Sequence, residues 1–237
     1  MRRRSREWKS SRVQNLRVTV TNLGPAQGHL LSPVWVGFHD GSFRLFDLGK
    51  EASIGVQRVA EDANTGPLTN EFLSRGSGIV QGTVFGSDDI LDDIGPGSSS
   101  SRIFTLDRKD PRSRYLSYCS MVIPSNDAFM GNENPCAHEV FSRDGDPLEL
   151  EITVLGSEVY DSGTEVNDET ALNAAGGAPP PFFFRGAGVR ENGVVHIHPG
   201  LTLGGPLLSN PAFANANFKA PGYEIARITV EEVEDDD

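Results

Sequence analysis

Short segments in which apolar and polar residues alternate, separated by turn-forming residues, constrain the fold of this chain more than any other feature. The clearest covers residues 148–155, Leu-Glu-Leu-Glu-Ile-Thr-Val-Leu, and residues 16–22 repeat the pattern. A period of two residues puts alternate side chains on opposite faces, so each segment predicts a half-buried strand. Residues 115–123 form a further run rich in aromatic and β-branched residues. Strands at short intervals joined by turns predict an antiparallel all-β fold.

The length and the turn residues agree with one β-sandwich domain. The chain has 237 residues, of which 26 are Gly and 15 are Pro, a content that suits many turns between short strands. All-β domains of this length are often single. Residues 51–75 differ, because apolar residues recur there at helical spacing around the breaker Asn64-Thr65-Gly66-Pro67. We therefore predict an antiparallel β-sandwich with one or two short helices.

Charge is distributed unevenly along the chain. The net charge is −12, yet the first twelve residues carry six Lys or Arg against one Glu, and the last seven carry six acidic residues. Neither end has enough apolar surface to offset the entropy of ordering it. We expect a disordered basic arm at residues 1–14, a single domain at residues 15–230 and an acidic tail at residues 231–237. The acidic body disfavours binding to the phosphate backbone of nucleic acids.

The sequence offers no membrane-spanning segment and no visible leader. No apolar stretch approaches the roughly 20 residues that a bilayer requires. No apolar run follows the N-terminal arginines, so we expect no signal peptide in this chain. The only cysteines are Cys119 and Cys136. A disulfide between them would need Cα atoms within about 7 Å, and two reduced thiols are the open alternative.

Two turns that follow predicted strands carry most of the functional signal. The first contains Asn126 and Asp127, and the second contains Asp161 and Glu165. Ca²⁺ takes six to eight oxygen ligands from carboxylates, amides, backbone carbonyls and water. Two strand-end turns that both offer such oxygens predict one Ca²⁺ site shared between them. The alternative is that these side chains only hydrogen-bond their own backbone, as Asp and Asn commonly do in turns.

Several blocks of the chain resemble the spondin N-terminal domain family, in the plain form found in bacterial proteins. The blocks are Val18-Thr19-Val20-Thr21-Asn22, Leu31-Ser32-Pro33-Val34-Trp35, and residues 36–49, 52–62, 114–129, 154–168 and 198–200. They occur in the same order as in the family and extend from about residue 16 to about residue 230. The resemblance implies a β-sandwich of C2-like or jelly-roll-like character.

The resemblance also implies a site and a function. Family members in animals bind one Ca²⁺ through three carboxylates, which correspond here to Asp127, Asp161 and Glu165. Glu165 departs from the pattern, because the family has aspartate at that position. Asn126 is a further candidate ligand. The implied function is a non-catalytic, calcium-binding interaction module for adhesion or assembly, located outside the cell or in the cell envelope. Its partner, a protein, a glycan or another surface, is not specified.

Two other functions remain open. His196 and His198 are two residues apart in a predicted strand at residues 194–198, so they would share one face and could hold a transition metal in a metalloenzyme. A catalytic zinc would need a third protein ligand and an open position. The chain lacks a Gly-x-Ser-x-Gly elbow and a phosphate-binding glycine-rich motif, so we predict no enzymatic activity. The second alternative is a structural subunit that associates with itself.

Overall fold

The computed structural model describes residues 12–87, 92–170, 173–176 and 188–233. In this part of the chain eleven strands form two antiparallel sheets, accompanied by two α-helices. The strands are β1 (Val13–Asn22), β2 (Leu30–Leu31), β3 (Val34–His39), β4 (Gly78–Val84), β5 (Ser99–Asp107), β6 (Tyr115–Ile123), β7 (Ala128–Gly131), β8 (Leu150–Leu155), β9 (Tyr160–Asp161), β10 (His196–Ile197) and β11 (Glu224–Glu232). The antiparallel all-β sandwich predicted from the sequence is confirmed.

The smaller sheet has four strands in the order β5-β1-β11-β8. Val18 in β1 pairs with Val230 in β11, which in turn pairs with Leu150 in β8. Along β1, Leu16, Val18 and Val20 are buried while Arg17 between them is exposed. The alternation in the sequence therefore corresponds to one core face and one solvent face.

The larger sheet follows the order β10-β9-β7-β6-β3-β4, and β2 adds to β6. Its central strands β3 and β6 are buried along nearly their whole length. One face packs on the smaller sheet through the main core. The other face packs on a second cluster that includes Trp35, Phe43, Phe72 and Phe129. Because both faces are covered, these strands are apolar throughout rather than alternating.

Two short helices, α1 (Ile54–Asp62) and α2 (Gly66–Arg75), contribute to that second cluster, as their spacing predicts. α1 begins after Ser53, whose hydroxyl accepts the Val56 N–H at 3.2 Å and caps the helix. α2 ends at Arg75 and is capped by Gly76, which adopts a left-handed conformation with φ of 69°. No helix among the described residues is long and apolar enough to cross a membrane.

The first and last strands extend slightly beyond the predicted domain boundaries. β1 begins and β11 ends two residues outside the boundaries expected at residues 15–230. Glu231 and Glu232 continue the ladder with β1, opposite Arg17 and Leu16. Their charged side chains remain exposed, because a ladder needs only backbone groups. The rest of the predicted arm and tail, residues 1–11 and 234–237, lies outside the described residues.

The cysteines are both free thiols. Cys119 is buried in β6, whereas Cys136 is exposed in the segment between β7 and β8. The open alternative is therefore resolved in favour of reduced thiols. Burial raises the pKa of the Cys119 thiol, which keeps it in its neutral form.

Candidate functional site

The pairing of β7 with β9 brings the two predicted turns into contact. Ala128 pairs with Asp161 in this antiparallel ladder. Asp127 therefore lies directly before one strand, and Ser162 lies directly after the other. The Ser162 N–H donates to the Asp127 carbonyl at 3.2 Å. The side chains of Asp127 and Asp161 thus start from neighbouring backbone positions, although they are distant in the sequence.

Asp127 organises the second turn through one of its two carboxylate oxygens. Its side chain is fully buried, and Oδ2 accepts the Ser162 hydroxyl at 2.8 Å and the backbone N–H groups of Thr164 and Glu165 at 2.8 and 3.0 Å. The Thr164 hydroxyl donates to the same oxygen at 3.2 Å. Oδ1 has no hydrogen-bond partner in the described part of the chain. A buried charge is costly unless paired, so this free oxygen is the most unusual feature of the site.

Asp161 is also fully buried, but the turn uses both of its oxygens. Oδ1 accepts the N–H of Gly163, which adopts a positive φ of 70°, at 2.7 Å. Oδ2 accepts the side-chain amide of Asn167 at 2.5 Å. Burial raises the pKa of Asp161, and the negative charge of Asp127 raises it further. The two carboxylates therefore lie close enough to repel each other.

Glu165 completes the set of predicted ligands from the far side of the second turn. Its side chain is buried, and Oε1 accepts the Gly188 N–H at 2.6 Å. Oε2 has no hydrogen-bond partner among the described residues. Burial raises the pKa of Glu165 to about 7, with smaller upward contributions from Glu61 and Asp127. This carboxylate resists ionisation in the absence of a cation.

Asn126 belongs to a neighbouring network that sequence reasoning missed. Its Oδ1 accepts the Glu169 N–H and its Nδ2 donates to Asp168, both at 3.2 Å. Asp168 also accepts the amide of Asn173 at 2.5 Å. Glu169 is buried, with Oε1 accepting the Thr202 N–H at 2.7 Å and Oε2 unpartnered within the described ranges. The only sequence signal was the clustering of Asn, Asp and Glu after the second turn.

The two hydroxyl residues of the second turn, Ser162 and Thr164, were also missed as functional positions. Both donate hydrogen bonds to Asp127 Oδ2, and their hydroxyls lie 2.6 Å apart. Ser and Thr in a Gly-containing turn are common, so no pattern in the sequence marked these two as partners of a residue in another turn.

The histidines of the alternative transition-metal site lie in different environments. His196 is exposed, and its Nε2 lies 3.8 Å from Asp161 Oδ2. His198 is buried and packs edge-on against the ring of Phe218. Burial lowers the pKa of His198 to about 3. β10 ends one residue before His198, so the expectation that both share a strand face stays a prediction.

This region has side chains of the right type to bind a metal ion, but they are not gathered around one point. Within the described ranges, no group of three or more His, Cys, Asp or Glu side chains is close enough to hold one ion. Asp127 and Glu165 nevertheless each present one buried carboxylate oxygen without a donor from any described residue. Carboxylate oxygens are the ligands of hard cations such as Ca²⁺. The residues therefore fit a hard divalent cation by their chemistry and burial.

Comparison with known families adds an independent finding. A family model described as Spondin_N matches residues 24–165. The match covers more than half of the chain and includes Asp127, Asp161 and Glu165. No curated protein matches the chain.

Proposed function

The protein belongs to the Spondin_N family, and from this premise we propose that it is a calcium-binding interaction module without catalytic activity. It acts at a cell surface, in the cell envelope or in a matrix, where it contacts a protein, a glycan or another surface. Ca²⁺ binds between the turn at Asp127 and the turn at residues 161–165. The ion's role is to fix these two turns relative to each other.

One observation carries the proposal. The buried oxygens Asp127 Oδ1 and Glu165 Oε2 have no hydrogen-bond donor in the described part of the chain. Asp161 interacts with Asp127, and its pKa is raised by burial and by the charge of Asp127. Unpaired buried charges cost several kcal/mol in typical proteins, and a divalent cation is the direct means of offsetting them.

Asp161 contributes to the same ion despite its hydrogen bonds. A carboxylate oxygen has two lone pairs, so it can accept a hydrogen bond and ligate a cation at the same time. Asp127, Asp161 and Glu165 would then supply three carboxylates, and backbone carbonyls and water would supply the remaining oxygens of the shell. Asn126 is a weaker candidate, because its amide oxygen already accepts the Glu169 N–H.

The surface next to the site suits a docking role. A shallow cavity of about 180 Å³ is lined by the turn before α1, by Gly163 and Thr164, and by residues 190–193. Its lining includes the exposed apolar side chain of Ile54, and the exposed Val194 follows the lining residue Gly193 in the sequence. Binding residues lie disproportionately on loops held by a rigid scaffold. Fixing residues 161–165 with Ca²⁺ would fix one wall of this surface.

Calorimetric titration of the full chain with Ca²⁺ tests the proposal. We expect binding to the natural sequence and a loss of affinity of at least about tenfold, or about 1.4 kcal/mol, in Asp161→Asn and in Glu165→Gln. Asp168→Asn is the matched control, because Asp168 is a nearby carboxylate that holds Asn126 and Asn173 instead. Unchanged Ca²⁺ affinity in both site variants would overturn the assignment.

Two further measurements test the alternatives, a transition-metal enzyme and a self-associating subunit. Zn²⁺ or Cu²⁺ binding that is lost in His196→Ala would favour a metalloenzyme, although the burial of His198 counts against it. A particle mass that changes between Ca²⁺ and EGTA would favour self-association. Light scattering on the full chain measures this directly.

A further inference from the structure

β8 forms an edge of the four-stranded sheet and borders an acidic groove. It pairs with β11 on one side and with no described strand on the other. A groove of about 630 Å³ runs over the ends of β8 and β11, lined by residues 149–151 and 229–232. Exposed edge strands present unpaired backbone groups that can bind another extended segment. The chemistry of the groove decides which segment fits.

Negative charge dominates the groove. Glu149, Glu151, Glu231 and Glu232 are all exposed there. One cation offsets part of this charge, since Arg227 Nε lies 3.9 Å from Glu151 Oε1. On the far side of β11, Arg17 pairs in register with Glu231. The groove retains an excess of carboxylates, and the four acidic residues 234–237 follow it directly in the sequence.

This charge excludes one simple occupant and favours another. A second copy pairing β8 with β8 around residue 150 would bring Glu149 opposite Glu151, which is destabilising, and any register would add further carboxylates to an acidic edge. A basic extended segment would place cations against them. The chain has one such segment outside the described residues, at its N-terminus, where Arg2, Arg3, Arg4, Arg6 and Lys9 stand against a single Glu7.

The described part of the chain begins at a point from which the groove is within reach. Arg12 extends the end of the β1–β5 ladder, since its carbonyl accepts the Arg108 N–H at 3.0 Å and its Nε lies 2.7 Å from Asp107 Oδ2. Val13 lies four residues before Arg17, which is opposite Glu231. That offset is about 13 Å along the strand, and β8 lies about 10 Å across the sheet. Eleven residues extend to about 36 Å, so the segment spans the distance with several residues to spare.

We infer that the N-terminal segment, residues 2–9, docks in the acidic groove formed by residues 149–151 and 229–232 of the same chain. Tethering raises the effective concentration of the segment to about the millimolar range, so weak contacts suffice. Each exposed ion pair contributes little, and docking therefore depends on several pairs together and on low salt. The docked segment shields the β8 edge from other chains, and an external basic partner would have to displace it.

A spin label on the segment tests this inference in the full chain. The label is attached to Ser5→Cys in a Cys136→Ser background, because Cys136 is the exposed thiol and Cys119 is buried. We expect the label to broaden the amide signals of residues 149–151 and 229–232 selectively at low ionic strength. The broadening should vanish at about 1 M salt, where the Debye length is about 3 Å.

Charge-removal variants supply the control. Neutralising the groove should abolish the selective broadening, whereas neutralising three exposed acids elsewhere should leave it unchanged. The groove variant is Glu149→Gln, Glu231→Gln, Glu232→Gln, and the matched control is Asp47→Asn, Glu51→Gln, Glu191→Gln. Broadening that is absent, evenly spread, or unaffected by the groove variant would overturn the inference. Broadening in a mixture of labelled and isotope-enriched molecules would overturn docking within one chain and assign the groove to a second copy.

Discussion

Two buried polar clusters tie loops to strand ends in this protein, and they differ in how completely their hydrogen bonds are made. In the Asn22 cluster, Asn22 donates to the carbonyls of His29 and Ile94, each at 2.9 Å, and accepts the Gly24 N–H at 2.8 Å. His29 Nε2 donates to the Ile225 carbonyl at 3.0 Å, and its Nδ1 lies 3.0 Å from the Tyr223 hydroxyl. Each of these side-chain polar groups has a partner, and none carries a charge at neutral pH.

The site cluster, formed by Asp127, Asp161 and Glu165, is built with the same kind of turn chemistry, but two of its charged oxygens have no partner among the described residues. Fully satisfied polar networks stabilise one structure, whereas partly satisfied ones are costly. From this difference we propose that the Asn22 cluster serves the fold and that the site cluster serves a ligand. We regard the Asn22 cluster as complete in itself and expect the site cluster to be completed by Ca²⁺.

We expect the largest loss of stability from a substitution in the Asn22 cluster. Asn22→Ala removes both donors and the acceptor, which leaves the His29 carbonyl and the Gly24 N–H without this partner. The Ile94 carbonyl loses one of two bonds, because it still accepts the Leu31 N–H at 3.1 Å. At 1–3 kcal/mol for each such group, we expect the free energy of unfolding to fall by about 3–5 kcal/mol. Denaturant unfolding should give the same loss in Ca²⁺ and in EGTA. A loss that depends on Ca²⁺ would show that the two clusters are not independent.

Calcium should stabilise the protein by a comparable but smaller amount. A ligand that binds only the folded state adds about 2.7 kcal/mol at a hundredfold excess over its dissociation constant. We expect this gain in the natural sequence and in Asn22→Ala, and its absence in Asp127→Asn. Equal melting temperatures in Ca²⁺ and EGTA for the natural sequence would argue that the site cluster needs no cation.

Removing the charge of Glu165 should raise the stability of the protein when Ca²⁺ is absent. Burial raises the pKa of Glu165 from 4.5 to about 7, so the cost of ionising it in the folded state grows between these pH values and is complete above pH 7. Glu165→Gln keeps the shape of the side chain and removes the charge. In EGTA at pH 8 we expect it to raise the free energy of unfolding by about 1 kcal/mol, close to the value of one pKa unit. Destabilisation in EGTA would mean that the carboxylate is already satisfied.

Low pH should destabilise the protein, because several buried or half-buried histidines are neutral in the folded state. Burial lowers the pKa of His29, His39 and His138 to about 4 each, below the unfolded value of about 6.5. Their contribution to stability is therefore complete above pH 6.5 and is lost as the pH falls towards 4. Urea unfolding at pH 7 and pH 4.5 should show a clear fall. His138→Asn should make this fall shallower, and an unchanged pH dependence would rule out the burial of His138 as one of its causes.

The smallest expected effect concerns the ends of the chain. A shortened chain of residues 12–233 keeps the whole β1–β11 ladder, so we expect its unfolding free energy to change by less than about 1 kcal/mol, as is usual for surface residues. A chain of residues 15–230 also removes the ladder pairs of Glu231 and Glu232 with Arg17 and Leu16. It should lose more. Equal stability of the two would show that the outer pairs contribute nothing.

The sequence predicted the fold well where a periodic pattern reports burial on one face. β8 and the two helices are of this kind, and all lie where the periodicity places them. The ends of β1 and β11 were placed too far inward, because backbone pairing continues beyond the last buried side chain. The predicted strand at residues 194–198 is shorter in the structure, where β10 covers only His196–Ile197.

The candidate site was only partly predictable. The turns at Asp127 and Asp161 could be identified because oxygen-rich side chains follow predicted strands. The hydrogen bonds to Asp127 could not be predicted. Their donors are two backbone N–H groups and two hydroxyls, which the β7–β9 pairing brings close. Such contacts depend on tertiary structure and leave no periodic trace in the sequence.

The most direct test of a calcium-completed site cluster is to locate the ion. Crystals of the full chain grown in Ca²⁺, measured at a wavelength where Ca²⁺ scatters anomalously, should show a peak between the two turns. We expect the peak to lie about 2.3–2.6 Å from Asp127 Oδ1 and Glu165 Oε2, the usual Ca²⁺–oxygen distance. A map without such a peak, in which waters donate to both oxygens instead, would contradict calcium binding at this site.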